Sequence, residues 1–120
     1  MLTVYGYMKC GTCRKAIAWL EAHQLAFTFV DITEKPPAQK TLKAILASGV
    51  YELKHLYNTS GMQYRSLGIS EKRKTLSEAE QIKLLAGNGM LVKRPIVTDG
   101  KAYTVGFREP AFEATWGVAG

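Results

Sequence analysis

The opening thirty-two residues carry three consecutive patterns that few folds can accommodate. Leu2, Val4 and Gly6 alternate with Thr3, Tyr5 and Tyr7, a period of two that predicts a half-buried strand over Leu2–Tyr7. From Gly11 to about His23 the apolar residues Cys13, Ala16, Ile17 and Leu20 recur at i, i+3, i+4 and i+7, which predicts a helix with one face turned to a core. Phe27 and Phe29 then alternate with Thr28 and Val30 inside a second strand over Ala26–Ile32. Strand, helix and strand in this order form a right-handed crossover, with the two strands parallel.

The remaining chain reads as helices followed by a hairpin. After Pro36-Pro37, a helix with Leu42, Ile45 and Leu46 inward runs to Gly49, and a further turn carries Leu53, Leu56 and Tyr57. Thr59-Ser60-Gly61 starts a short helix with Met62, Tyr64 and Arg65, stopped by Gly68. Ser77 and Glu80 form a capping box for a helix facing Ala79, Ile82, Leu85 and Ala86 inward and ended by Gly87-Asn88-Gly89. Beyond Arg94-Pro95, the runs Ile96-Val97-Thr98 and Ala102 to Val105 flank Asp99-Gly100 as an antiparallel hairpin, and Pro110 opens a last helix with Phe112 and Trp116. The order predicts an α/β fold, a mixed four-stranded sheet flanked by helices with a helical insertion, in one domain over residues 1–120.

Composition narrows the class of function. With 120 residues and 47% hydrophobic content the chain has material for one core, which excludes a disordered chain. Sixteen basic against ten acidic residues leave a net charge of +6, suited to anionic small molecules or acidic protein surfaces. The densest basic run, Lys72-Arg73-Lys74 beside Glu71, is short and lacks interleaved aromatics, so it reads as a solvated loop and no direct nucleic-acid binding is expected. No apolar run approaches a membrane span, and Met1 to Met8 is too short for a secretion signal, so a cytoplasmic location is expected; the chain is also expected to be a monomer.

In such a reducing compartment a pair of cysteines points to catalysis or sensing rather than to a structural bridge. Cys10-Gly11-Thr12-Cys13 sits between the first strand and its helix, where free amides and the helix dipole favour a thiolate. Cys10, at the open end, is the candidate nucleophile. Cys13, one turn in and on the apolar face, is the candidate resolving thiol, able to attack a mixed disulfide on Cys10. Gly11, Thr12 and Arg14 frame the turn as candidate anion- or substrate-binding residues, and Arg94, with its forked donors, is a candidate anion or thiolate stabiliser. His23 and His55 complete no metal-ligand spacing, so no metal is expected.

The strand leading into Lys9-Cys10-Gly11-Thr12-Cys13-Arg14-Lys15, the run Leu91-Val92-Lys93-Arg94-Pro95-Ile96 and then Val105-Gly106-Phe107 resemble the ArsC-type arsenate reductases and the related Spx/MgsR redox regulators. The resemblance implies a thioredoxin-like fold with a helical insertion and a cis Pro95 that brings Arg94 beside Cys10. It also implies attack of Cys10 on a small oxyanion or thiol substrate, no bound cofactor, and glutathione with glutaredoxin, or thioredoxin, as electron donor. The second cysteine resembles the Spx branch, which implies the alternative of a redox-sensing regulator that binds RNA polymerase or another protein without turnover. Against the reductase pattern, Ser60 and Phe107 stand where two anion-binding arginines would be and Gly6 where a histidine would be. Arg65 and Arg108 lie nearby, out of register, as further candidates for anion or substrate binding.

Overall fold

A computed structural model describes residues 1–117, in two compact units: Met1–Asp31 with the chain from Arg94 onward, and Ile32–Lys93. The expected domain over 1–120 also takes in residues 118–120, which lie outside the described residues.

The first unit holds the whole sheet. β1 (Leu2–Gly6), α1 (Gly11–Ala22) and β2 (Phe27–Asp31) form the expected crossover, with β1 and β2 parallel from Leu2↔Phe27 to Gly6↔Asp31. After Arg94 the chain adds β3 (Ile96–Thr98), antiparallel to β1, then β4 (Tyr103–Val105), antiparallel to β3. The strand order is β2-β1-β3-β4, so β1 and β3 are central and are the strands buried most completely. α6 (Glu109–Trp116) closes the unit, with Pro110 in its first turn as the sequence suggests.

One apolar cluster joins sheet and helices: Leu2 and Val4 of β1, Val97 of β3, Ala16, Trp19 and Leu20 of α1, and Phe112 and Trp116 of α6. The helical face differs from expectation at one position. Trp19 is buried and Ile17 only half-buried, because the indole meets Phe112 edge-on at 5.3 Å and outweighs the smaller side chain in area removed from water. Trp116 keeps its N–H satisfied by donating to Thr104 Oγ1 at 3.0 Å.

The second unit is helical: α2 (Gln39–Ala47), a 3-10 turn at Leu53–Leu56, α3 (Met62–Ser66), α4 (Ile69–Lys72), α5 (Glu78–Gly87) and a 3-10 turn at Gly89–Leu91. Gly49 and Gly68 adopt the left-handed conformation that ends a helix, and the Ser77–Glu80 capping box is formed in both directions. Three expectations need correction. Ala79 is exposed and Gln81 is buried in α5, since Gln81 bonds Tyr57 Oη and the Leu76 carbonyl. Proline suits a helix's first turn, but Pro36 and Pro37 both lie before the Ala38 N-cap of α2 and outside it. The run Lys72-Arg73-Lys74 is solvated at its two lysines, but Lys72 ends α4 and Arg73 is turned inward, its guanidinium 4.7 Å from the Tyr57 ring centroid and donating to Tyr64 Oη at 3.3 Å.

Tyr57 therefore anchors this unit. Burial pushes its phenol up to about 12, with the Arg73 charge opposing and Tyr64 reinforcing the shift. A phenol with a folded-state pKa above its unfolded one stabilises fully below pH 10 and loses that contribution as pH rises toward 12. Tyr57→Phe is expected to cost about 1 kcal/mol at pH 7, because Gln81 Oε1 loses its donor. In urea titrations at pH 9 and 11 the wild type should lose about 1 kcal/mol more than the variant. Equal losses would show that Tyr57 ionises freely in the folded chain.

Candidate active site

The turn between β1 and α1 brings the two cysteines and Arg94 together. Cys10 is the N-cap of α1, with extended backbone (φ −89°, ψ 120°); its N–H donates to the Tyr7 carbonyl at 2.9 Å, and its own carbonyl accepts from Arg14 N–H at 3.1 Å. As N-cap it sets its sulfur at the helix mouth, where the Thr12 and Cys13 amides act on it. Cys13 is fully buried beneath it, and the Tyr7 N–H points at Cys13 Sγ, 3.4 Å away. Both sulfurs are free thiols.

Gly6 explains how the pair fits. A Cβ built there would stand 3.1 Å from Phe29 Cε2 and 3.4 Å from Cys13 Sγ, so the space a side chain would need is taken by the buried thiol and its aromatic neighbour. Packing thus fills the position where the resemblance sets a histidine.

The two thiols are driven in opposite directions. Partial burial raises Cys10, but hydrogen bonding from the Cys13 amide and thiol, the Arg94 side chain and the Thr12 amide outweighs it, and the net displacement is downward. Cys13 is pushed up to about 12 by burial; the Tyr7 amide opposes this, the neighbouring Cys10 sulfur adds to it, and the Arg94 charge opposes it weakly. A thiol that ionises readily at the surface and one held protonated below it are the two states that ordered exchange requires.

Arg94 enters from the chain leading into β3, two residues before that strand, through a cis bond to the buried Pro95, as the resemblance implies. Its guanidinium lies over the Tyr7 ring, with Cζ 5.3 Å from the centroid, and its Nη1 is buried without a hydrogen-bond partner. Tyr7 is the site residue that sequence reasoning missed. An aromatic at the last position before the cysteine turn was the available signal, but alternation alone assigned it only to a strand face.

The other candidates are placed differently. Gly11 and Thr12 are exposed at the first turn of α1. Arg14 is exposed, and its Nη1 is engaged with the Met8 carbonyl at 2.8 Å. Arg108 is the exposed N-cap of α6, while Phe107 is half-buried with its ring 4.8 Å from that of Phe112, so packing occupies the position where the resemblance sets an arginine. Ser60 and Arg65 belong to the helical unit, where Arg65 Nη2 donates to the Ser60 carbonyl at 3.0 Å. Among the described residues no group of three or more His, Cys, Asp or Glu side chains could hold a metal ion, and no helix is long and apolar enough to cross a membrane.

The family model of the ArsC family matches residues 5–115. The chain belongs to the ArsC family. Within it, the chain is 51% identical to the Bacillus subtilis protein YusI, over 96% of this chain and 98% of that one. It is 31% identical to the global transcriptional regulator Spx of Streptococcus pneumoniae, over 95% of this chain and 84% of the regulator. Among solved structures, an ArsC family-related protein from Bacteroides fragilis matches with a TM-score of 0.88 at 38% identity, covering 94% of this chain and 95% of that chain. The fold is thus thioredoxin-like, and this ArsC chain carries its cysteine pair, its arginine and its cis proline in the sheet-bearing unit.

Proposed function

We propose that the protein is a two-cysteine thiol oxidoreductase whose preferred substrate is a disulfide. The observation that carries this reading is the arrangement of Cys10 at the mouth of α1 above a fully buried Cys13 with Arg94 alongside, which drives the two thiols in opposite directions. The Cys10 thiolate attacks one sulfur of a substrate disulfide, forming a mixed disulfide and expelling the other sulfur as a thiolate. That event removes the Cys10 negative charge and sulfur acceptor from beside Cys13, both of which oppose its ionisation, while the Tyr7 amide and Arg94 still favour it. Cys13 then gives its proton to solvent and attacks Cys10 Sγ; the second substrate thiolate leaves, and two electrons have passed from the cysteine pair to the substrate. A dithiol or thiol donor, of the glutathione/glutaredoxin or thioredoxin class, returns the pair to its reduced form. The chain works without a bound cofactor, as a monomer.

Arsenate is the weaker candidate. An oxyanion needs several charged donors in a partly desolvated pocket, whereas a disulfide asks only that thiolates be stabilised. Arg94 is the one arginine beside Cys10 with a buried donor to spare, and Arg14 already serves the Met8 carbonyl. Gly11, Thr12, Ser60, Arg65 and Arg108 remain candidates for substrate contact.

The test is steady-state consumption of reductant with small disulfides and with arsenate. Cys10→Ser should abolish turnover. Cys13→Ser should stop after one event, leaving a mixed disulfide on Cys10 that mass spectrometry detects. Full turnover by Cys13→Ser would remove the resolving role. The similarity to Spx favours a second reading, a redox switch acting on RNA polymerase or another protein. Stoichiometric oxidation of the wild type without turnover, together with redox-dependent retention on a polymerase resin, would favour that reading.

A further inference from the structure

Tyr7 touches each member of the site through a different group. Its carbonyl accepts from Cys10 N–H at 2.9 Å, its N–H donates to Cys13 Sγ at 3.4 Å, and its ring lies 5.3 Å beneath the Arg94 Cζ. The first two contacts are made by the main chain, and any residue provides them. The third belongs to the side chain.

Arg94 has need of such a contact. Its Nη1 is buried with no partner, and none of the ion pairs found among the described residues, His23–Glu113, Lys54–Glu52 and Lys74–Glu71, involves it. Its hydrogen bond to Cys10 is the contact it has to be positioned for, and without a further anchor a long guanidinium side chain turns its donors toward water. A carboxylate would hold it in place, but would also cancel its charge and set a second negative group beside the Cys10 thiolate. An aromatic face attracts the cation without neutralising it and without occupying its N–H groups.

We propose that the Tyr7 ring is the positioning element of the site, fixing Arg94 through a cation–π contact so that its donors serve Cys10. The benefit to turnover rests on the oxidoreductase reading; the contact itself is read from thiol acidity and stands apart from it.

The experiment is the pH dependence of iodoacetamide labelling at Cys10 in the full chain, followed by site-resolved mass spectrometry. Tyr7→Leu should move the midpoint upward and slow labelling below it roughly three- to tenfold, while Tyr7→Phe keeps the wild-type profile. In an Arg94→Ala background, Tyr7→Leu should add no further shift. Pentafluorophenylalanine at position 7 keeps the ring's shape but reverses its quadrupole, and should behave like leucine. That ring pair decides the matter if circular dichroism shows Tyr7→Leu unfolded. An unmoved midpoint in a folded Tyr7→Leu, a shift that persists without Arg94, or a fluorinated ring that behaves like phenylalanine would each overturn the proposal. A protein that turns over no disulfide yet shows these shifts loses the oxidoreductase reading and keeps this one.

Discussion

Iodoacetamide at pH 7 is expected to label Cys10 of the reduced protein more than about fiftyfold faster than Cys13. Cys10 is held below the ordinary value of 9.0 and Cys13 is raised to about 12, so their thiolate populations differ by at least about a thousandfold. The more basic thiolate is the stronger nucleophile, which returns a factor of roughly twenty. Cys13 has no exposed surface, and that burial widens the gap again. Raising the pH should carry Cys10 through its midpoint below pH 9 while Cys13 continues to climb. Labelling of Cys13 first, or a Cys10 midpoint at or above 9.0, would sink the assignment of roles. In Cys10→Ser the remaining thiol should stay slow, because burial is the largest cause of its shift.

Gly89→Ala is expected to destabilise the chain by about 3 kcal/mol or more, the upper range for forcing atoms into filled space. A Cβ there would overlap the carbonyl oxygen of Ile32, stand 2.6 Å from its carbon and reach 3.2 Å from the Thr33 Cα, all of them main-chain atoms that no rotamer change can remove. Gly87→Ala, two residues earlier at the end of α5, meets nothing within 4 Å and should be neutral or stabilising by up to about 1 kcal/mol. Urea titration of the pair separates close approach from helix propensity. Equal behaviour of the two variants would show that the chain relaxes around residue 89.

These glycines show where a sequence stops being legible. Gly87-Asn88-Gly89 reads as a helix terminator, which it is, but the reason Gly89 admits no side chain is a strand of backbone 57 residues earlier. The first crossover was legible because period and burial agree at the positions that define each element, Val4 and Leu20 inward and Thr28 and Glu21 outward. The cysteine pair was legible because spacing and position, between a strand and a helix start, both bear on thiol chemistry. Tyr7 and Arg73 were not, for a shared reason: each is half of a cation–π pair whose partner is distant in sequence, Arg94 in one case and Tyr57 in the other. Trp19 escaped because a template of i, i+3, i+4 and i+7 counts positions equally, while burial is weighted by side-chain area.

The central pairing of β1 with β3, from Thr3↔Thr98 to Tyr5↔Ile96, bears on when the protein acquires its chemistry during synthesis. Cys10 and Cys13 leave the ribosome early, whereas Arg94 and the strand that carries it are translated in the last quarter of the chain. At roughly 5–20 residues per second, several seconds separate the two events. Through that interval the nascent cysteines lack both the guanidinium and the β1–β3 pairing, and Cys10 has only the Thr12 and Cys13 groups of its own turn to lower it. Arrival of β3 brings Arg94 to Cys10 and gives β1 its second neighbour in one step, so the full set of groups that lower Cys10 is assembled only after residue 94 has emerged.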